Sequence, residues 1–317
     1  MKPNLLMIGN GTDRMMARLN ADFTPHLLGE IDDLAAFLAK TGPSVEYVMT
    51  NGHAGLRADI MDNLPNLKVI SSYGVGYDAI DTDACAARGI VVTHTPGVLN
   101  DEVANTAIML WLAASRRLVQ ADNYLRAGRW LAEGAYPLTR SVQDRTVGIL
   151  GLGRIGQAIA DRLGVFNATI VYHSRTKKDI AYRYYDDLTA MAADCDVLIC
   201  ITPGGEETRG IVNTEVMNAL GSEGILINVA RGSVVDEPAM VSALQDGRLG
   251  GAGLDVFDKE PVVPEALFAM DNVVLQPHVA SGTVETRQAM GDLTCDNLIQ
   301  FKTDGTTVSA VPECAHL

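Results

Sequence analysis

Three closely spaced glycines separate two apolar stretches near the middle of the chain. The hexapeptide GLGRIG, residues 151–156, follows the apolar run VGIL at residues 147–150. A helical pattern comes next, and its expected apolar side contains Ile155, Ile159, Leu163 and Val165. A strand, a glycine turn and a helix in this order form a phosphate-binding corner, because the glycines allow the turn, the approach of a ligand and close helix packing. The motif therefore predicts a dinucleotide site, whose expected contact residues are Gly151, Leu152, Gly153, Arg154, Ile155 and Gly156.

Three later segments follow apolar runs and contain charged or titratable side chains. They are NVARG at residues 228–232, LDVFDKEP at residues 254–261 and QPHVASGT at residues 276–283. Carboxyl ends of parallel strands are the ligand-binding edge of an α/β sheet, and a guanidinium such as Arg231 suits a planar acid there. Alone, Arg231, Glu260 or His278 would be an ordinary surface residue; their order after the glycine motif predicts a joint site. Further contacts with the dinucleotide are expected at Ile201, Thr202, Val229, Ala230 and Gly282.

A basic loop follows the next strand candidate, at residues 169–172. It reads HSRTKK from His173 to Lys178. Proteins that bind NAD usually place an acidic residue about 20 residues after the glycines, where it binds the ribose hydroxyls. A solvated basic loop is the simpler interpretation, but His173, Ser174, Arg175 and Lys178 also suit a 2′-phosphate. The loop therefore predicts NADP(H).

The elements that must position these residues follow an α/β pattern. Short apolar runs alternate with helical patterns, which predicts parallel sheets covered by helices. The other strand candidates are residues 5–9, 47–50, 69–73, 90–93, 196–201, 225–229, 253–256 and 273–275. The clearest helical patterns are residues 32–40, 100 to about 119, and 283 to about 301. Because the glycine motif lies in mid-chain, we expect a separate domain with its own small sheet before it.

Composition limits the class of protein. The 317 residues, 47% of them hydrophobic, are enough for two domains, and neither a membrane-spanning run nor a secretory pattern is evident. The five cysteines form no Cys-x-x-Cys pair and no cluster with histidine, so we expect reduced structural thiols and no metal site. A formal net charge of −14 argues against a nucleic-acid partner. A soluble, cytoplasmic protein is the expectation.

The motifs in this order resemble the D-isomer-specific 2-hydroxyacid dehydrogenases. The resemblance extends to SSYGVGYDAID at residues 71–81 and HTPGVLNDEVANTAIML at residues 94–110, and so covers nearly the whole chain. It implies a Rossmann-type NADP-binding domain, residues 99–284, inserted in a flavodoxin-like substrate-binding domain, residues 1–98 and 285–317. GVLNDEVA, SRTKK and PHVASGTVETR are most similar to the NADPH-using glyoxylate/hydroxypyruvate reductases and the related hydroxyphenylpyruvate reductases.

The resemblance also implies roles for individual residues. Arg231 orients the substrate, His278 donates a proton, and Glu260 is the carboxylate partner of His278. The amides near Val75 and Gly76 bind the substrate carboxylate. Thr106 and Asp255 lie on the cofactor side. These roles fit the chemistry, because hydride addition to a ketone makes its oxygen negative, and a cationic imidazole and a guanidinium stabilise that charge.

The expected function is NADPH-dependent reduction of small 2-oxo acids such as glyoxylate and hydroxypyruvate, by a homodimer. 2-Ketogluconate and 4-hydroxyphenylpyruvate remain alternative substrates, because they present the same carboxylate and ketone. An NAD-dependent phosphoglycerate dehydrogenase, a formate dehydrogenase and a dinucleotide-sensing co-repressor are less favoured. Trp130 either packs in the core or reaches toward a partner subunit, and the sequence does not distinguish these roles.

Overall fold

A computed structural model describes residues 2–317 of the chain. The chain divides into two compact units. The residues up to Leu99 and Thr283–Leu317 form the first unit, and Asn100–Gly282 form the second. Each unit contains a sheet of parallel strands and helices, which confirms the predicted α/β class.

The first unit begins with a five-stranded sheet. Its elements before Leu99 are β1 (Asn4–Met7), α1 (Asp13–Asp22), β2 (Thr24–Leu27), α2 (Leu34–Lys40), β3 (Val45–Asn51), α3 (Ala58–Met61), β4 (Val69–Tyr73), α4 (Thr82–Ala87) and β5 (Val91–Thr93). The strand order β2-β1-β3-β4-β5 is that of flavodoxin-like sheets, as expected. Leu6, Val48 and Ile70 lie fully buried in the centre of this sheet.

The second unit contains a seven-stranded sheet. Its elements are α5 (Asn100–Arg116), α6 (Leu118–Arg126), α7 (Arg129–Glu133), β6 (Thr146–Leu150), α8 (Arg154–Leu163), β7 (Thr169–His173), β8 (Arg183–Tyr184), α9 (Leu188–Ala193), β9 (Val197–Cys200), α10 (Thr214–Leu220), β10 (Ile225–Asn228), α11 (Glu237–Gln245), β11 (Gly251–Leu254) and β12 (Val273–Leu275). The strand order is β12-β11-β10-β9-β6-β7-β8. The chain leaves β6 in one direction toward β8 and then returns to β9 on its other side. This reversal is the switch point at which Rossmann-type sheets bind their ligands.

The last helix, α12 (Val284–Asp304), belongs to the first unit. Thr283 caps its N-terminus by accepting a hydrogen bond from Thr286 N–H, and Gly305 ends it with a positive φ of 79°. A Cβ at Gly291 would lie 2.7 Å from Met15 Cγ, so the glycine allows α12 to pack closely on α1. The Tyr73 hydroxyl at the end of β4 donates to Arg287 O at 3.1 Å, which ties the helix to the sheet.

All five cysteines are buried and reduced. Burial raises the pKa of Cys200 to about 12 and that of Cys85 to about 11. Within residues 2–317 no helix is both long and apolar enough to span a membrane.

Several details differ from the expectations. The long helix ends at Arg116 because Arg117 adopts a left-handed conformation with φ 48°. Val165 lies beyond α8 and is 78% exposed, so it is not part of the apolar side. β11 begins two residues earlier than predicted. The prediction missed this start because the sequence of the strand, GAGL, is poor in residues typical of strands. The edge strands β2, which contains a proline, and β8, which has two residues, were not predicted.

Candidate active site

Three neighbouring strands of the second unit end at the same level. Asn228 of β10 pairs with Leu254 of β11, which pairs with Leu275 of β12. The strands are parallel, so the segments that follow them share one edge of the sheet. This edge brings together the three segments that contain Arg231, Glu260 and His278.

A histidine and a carboxylate are in contact at this edge. His278 Nδ1 lies 2.8 Å from Glu260 Oε2, and both side chains are more than two thirds buried. The other carboxylate oxygen, Oε1, accepts a hydrogen bond from Phe257 N–H at 3.0 Å, which fixes the carboxylate. An ionised carboxylate only accepts hydrogen bonds, so Nδ1 carries a proton, and proton transfer to a substrate would use Nε2.

The loop that holds His278 is organised by a buried carboxylate. Asp255, 1% exposed at the end of β11, accepts hydrogen bonds from Val279 N–H at 2.8 Å and Ala280 N–H at 3.0 Å. Its carbonyl oxygen accepts a third bond, from His278 N–H at 2.8 Å. Burial raises the pKa of the Asp255 carboxyl above its ordinary value, although the two N–H donors oppose this change. Thr106 supports the same loop, because its hydroxyl donates to Ala280 O at 3.2 Å.

The Arg231 segment depends on two residues that the sequence did not single out. The Asn228 amide is almost fully buried; its oxygen accepts a bond from Ala230 N–H at 3.1 Å, and its NH₂ group donates to Arg231 O at 3.0 Å. A Cβ at Gly232 would lie only 1.9 Å from the carbonyl carbon of Phe257. The glycine therefore lets the Arg231 segment touch the segment that leads to Glu260. An NxxRG pattern directly after a strand is the signal that could have identified both residues.

The glycine corner between β6 and α8 has the geometry of a phosphate site. Gly151 has φ 98°, and a Cβ there would lie 2.7 Å from Thr202 N and Cα. A Cβ at Gly156 would lie 2.4 Å from Gly151 O, whereas Gly153 has open space where a Cβ would be. Helix α8 begins at Arg154 without a side-chain cap, so its first N–H groups and dipole face this space. The residues present therefore fit a dinucleotide pyrophosphate.

The basic loop after β7 is shaped by contacts within the unit. The Tyr172 hydroxyl accepts a bond from Lys178 N–H at 2.8 Å, and the Tyr184 hydroxyl donates to Ser174 O at 3.3 Å. The Ser174 hydroxyl donates to Thr176 O at 2.8 Å, within the loop. Arg175 lies 3.4 Å from Glu207, an acidic neighbour that the sequence did not predict.

Val75 and Gly76 lie in the first unit, in the loop after β4. His94 Nδ1 donates a hydrogen bond to Val75 O at 2.9 Å, and Thr95 N–H donates to Gly74 O at 2.9 Å.

In the second unit, Trp130 lies on α7 with 64% of its surface exposed, so it does not pack in the core of the chain.

A dinucleotide corner and a histidine–carboxylate pair on one sheet edge define a dinucleotide-dependent oxidoreductase. Residues 108–280 match the family described as the D-isomer specific 2-hydroxyacid dehydrogenase, NAD binding domain. A glyoxylate/hydroxypyruvate reductase of Arabidopsis thaliana is 51% identical over 80% of this chain and 82% of its own length. A 2-ketogluconate reductase of Gluconobacter oxydans is 42% identical over 98% of this chain and 99% of its own length.

A solved structure has the same fold. The NADPH-dependent glyoxylate/hydroxypyruvate reductase of Sinorhizobium meliloti, in complex with NADP and malonate, is 47% identical, with a TM-score of 0.93 over 99% of this chain and 98% of its own. The chain belongs to the D-isomer-specific 2-hydroxyacid dehydrogenase family.

Replacing Asp255 by asparagine tests the organisation of the His278 loop. The amide oxygen can accept one of the two N–H bonds, but the amide NH₂ group would face the other N–H. Because an unsatisfied buried donor costs about 1–3 kcal/mol, we expect the backbone of residues 278–280 to exchange hydrogen roughly 5- to 150-fold faster. Hydrogen-exchange mass spectrometry of this segment measures the effect.

Asp246→Asn is the matched control, because the Asp246 side chain is 59% exposed and bonds to Arg248. It should leave exchange at residues 278–280 unchanged. Equal exchange in Asp255→Asn and the unmodified protein would contradict the role given to Asp255.

Proposed function

We propose that this protein reduces small 2-oxo acids, glyoxylate and hydroxypyruvate first among them, to 2-hydroxy acids with NADPH. The observation that carries the proposal is the 2.8 Å contact between His278 Nδ1 and Glu260, on the sheet edge where the glycine corner also lies. A proton donor and a dinucleotide corner on one edge are what the reduction of a ketone requires.

Each candidate residue has a separate role in the reduction of the ketone. The bound reduced nicotinamide supplies the hydride. His278 delivers a proton from Nε2 to the substrate carbonyl oxygen, while Glu260 holds the ring through Nδ1. Arg231 donates hydrogen bonds to the substrate carboxylate and carbonyl oxygen, and so stabilises the negative charge that develops there. The N–H groups of Val75 and Gly76 bind the carboxylate.

In this function the second unit binds the cofactor, and the loop that binds the substrate carboxylate belongs to the first unit. Residues 151–156 would hold the pyrophosphate, and His173, Ser174, Arg175 and Lys178 the 2′-phosphate. The nicotinamide side would be lined by Thr106, Ile201, Thr202, Val229, Ala230, Asp255 and Gly282. Arg175 is 85% exposed beside Glu207, so a phosphate group can replace this weak surface partner.

A homodimer formed through the second unit is part of the proposal. Large apolar side chains that are more than half exposed concentrate between residues 118 and 138: Leu118, Leu125, Trp130, Leu131 and Leu138. Exposed apolar side chains in one contiguous patch mark an interaction surface, and we propose that these five residues form one. The five buried, reduced thiols fit the reducing conditions of the cytoplasm, where we place the protein.

Turnover of 2-oxo acids with NADPH tests the function directly. We expect the unmodified protein to oxidise NADPH when glyoxylate or hydroxypyruvate is added, and His278→Gln to lose about 100- to 10,000-fold in kcat, because positioned acid catalysis is worth that much. NADPH binding, measured by fluorescence titration, should survive the substitution. His26→Gln is the control, since His26 lies on β2 and bonds to Asn4.

The rival functions predict other outcomes. Faster turnover of 2-ketogluconate would favour that sugar acid, the substrate named for the relative from Gluconobacter oxydans. NADPH binding without turnover of any 2-oxo acid would favour a dinucleotide sensor. Near-normal kcat in a folded His278→Gln variant would remove His278 from its proposed role.

The glycine corner gives a matched pair of variants. Gly153→Ala adds a methyl group in open space, so we expect normal thermal stability and a loss of NADPH affinity of at least tenfold, because the methyl group occupies the approach to the backbone. Gly156→Ala forces a contact of 2.4 Å with Gly151 O, so both stability and affinity should fall. Thermal unfolding and NADPH titration measure the two effects. Unchanged NADPH affinity in Gly153→Ala would place the cofactor elsewhere.

The preference for NADPH over NADH depends on Arg175. A hydrogen bond to a charged group contributes about 1.5–3 kcal/mol, so Arg175→Ala should lower kcat/KM for NADPH by roughly 10- to 100-fold and leave that for NADH nearly unchanged. Arg183→Ala is the control, because Arg183 is also exposed and pairs with Asp194. Kinetics with both cofactors at fixed glyoxylate provide the measurement. If the unmodified protein uses NADH as well as NADPH, the role of the basic loop is wrong.

A further inference from the structure

One peptide unit in the first unit of the chain carries both a held carbonyl and an available N–H group. The Val75–Gly76 peptide bond is trans, so the Val75 C=O and Gly76 N–H groups lie in one plane and point in opposite directions. His94 Nδ1 donates to Val75 O at 2.9 Å. Whatever fixes the carbonyl also fixes the direction of the Gly76 N–H.

Packing does not hold this loop in the way that it holds the glycine corner. A Cβ at Gly74 would meet its nearest atom at 3.8 Å, whereas a Cβ at Gly156 would meet Gly151 O at 2.4 Å. Glycine also has more backbone freedom than any other residue. Thr95 N–H holds Gly74 O at 2.9 Å, and the His94 bond acts on the next carbonyl, that of Val75. The backbone hydrogen bonds of residues 2–317 include none donated by Val75 or Gly76. The two N–H groups are thus available to an anion.

The backbone of His94 is held at two points, and its ring is packed on one side. His94 N–H donates to Ser309 O at 3.2 Å, and the Ser309 hydroxyl donates to His94 O at 2.7 Å. The buried Asn297 on α12 accepts a bond from Ser309 N–H at 2.9 Å. The ring of Tyr77 packs edge-on against the imidazole, with the two ring centroids 5.3 Å apart and an interplanar angle of 87°. Because a carbonyl only accepts, Nδ1 carries its proton whether the imidazole is neutral or cationic.

We propose that His94 is a positioning residue for substrate binding, which orients the Val75–Gly76 peptide so that Gly76 N–H faces the substrate carboxylate. The proposal rests on the proposed function, in which this loop binds the carboxylate. His94 acts through the peptide, without contact with the substrate. Its loss should therefore weaken the binding of the 2-oxo acid and spare the binding of NADPH.

Two substitutions separate the donor from the bulk of the ring. His94→Asn places an amide nitrogen at the position of Nδ1, and His94→Leu places a methyl group there. One hydrogen bond corresponds to roughly a two- to tenfold change in affinity, so His94→Leu should raise KM for glyoxylate and Kd for oxamate by that factor. His94→Asn should restore both within about twofold. Titration calorimetry with oxamate and NADP⁺ measures Kd apart from turnover, and Kd for NADPH should stay constant.

The outcomes separate this inference from the proposed function. If the unmodified protein neither reduces 2-oxo acids nor binds oxamate, the proposed function falls, and the role of His94 falls with it. If the unmodified protein does both, unchanged KM and Kd in His94→Leu overturn the role of His94 alone. Equal losses in His94→Leu and His94→Asn also overturn it, because they indicate packing. If His94→Leu does not fold, His94→Ala replaces it in the same comparison.

Discussion

The hydrogen bonds to the buried Asp255 carboxylate are the interaction on which the candidate active site of the second unit depends. The carboxylate binds two N–H groups of the loop after His278, and the Asp255 carbonyl binds the His278 N–H. These bonds hold His278 at φ 52°, a conformation that costs a non-glycine residue free energy. Burial of the carboxylate is also unfavourable, and the two donors offset it. The fixed position of a strand end thereby sets the position of the imidazole, and Glu260 has only to fix the rotation of the ring.

Local features of the site were predictable from the residues alone, whereas the tertiary contact between His278 and Glu260 was expected only from the family resemblance. The glycine corner was predicted because strand, turn and helix are consecutive, and each glycine has a local reason. Asp255 was expected only on the cofactor side, since its bonds to the backbone join residues 24 and 25 positions apart. The role of Gly232 was missed because the residue that leaves no space for a side chain there is Phe257, which is remote in sequence. The end of α5 at Arg116 was missed because Arg117, where the helix breaks, is a residue type that favours helices, and no breaker precedes it.

The basic loop illustrates how local charge can act within an acidic chain. The formal net charge is −14, and even Arg175 has an acidic neighbour, Glu207. Both side chains are largely exposed, so their attraction is weak and screened by salt. What the loop contributes is geometry: hydroxyl groups of Tyr172 and Tyr184 hold its backbone at two points. A loop held in this way can present its cation to a phosphate at a smaller entropic cost.

Backbone N–H groups serve as candidate ligands in both units, but the two units hold them differently. At the glycine corner, Gly151 and Gly156 lie so close to neighbouring backbone that a side chain at either position has no space. The loop of Val75 has no such close contact around Gly74; hydrogen bonds from Thr95 N–H to Gly74 O and from His94 to Val75 O restrain it instead, and only the second acts on the Val75–Gly76 peptide. A close contact with backbone survives most substitutions of neighbouring side chains, whereas a restraint from one imidazole depends on that residue. The same physical task, fixing the direction of an N–H, is therefore resistant to substitution in one unit and sensitive to it in the other.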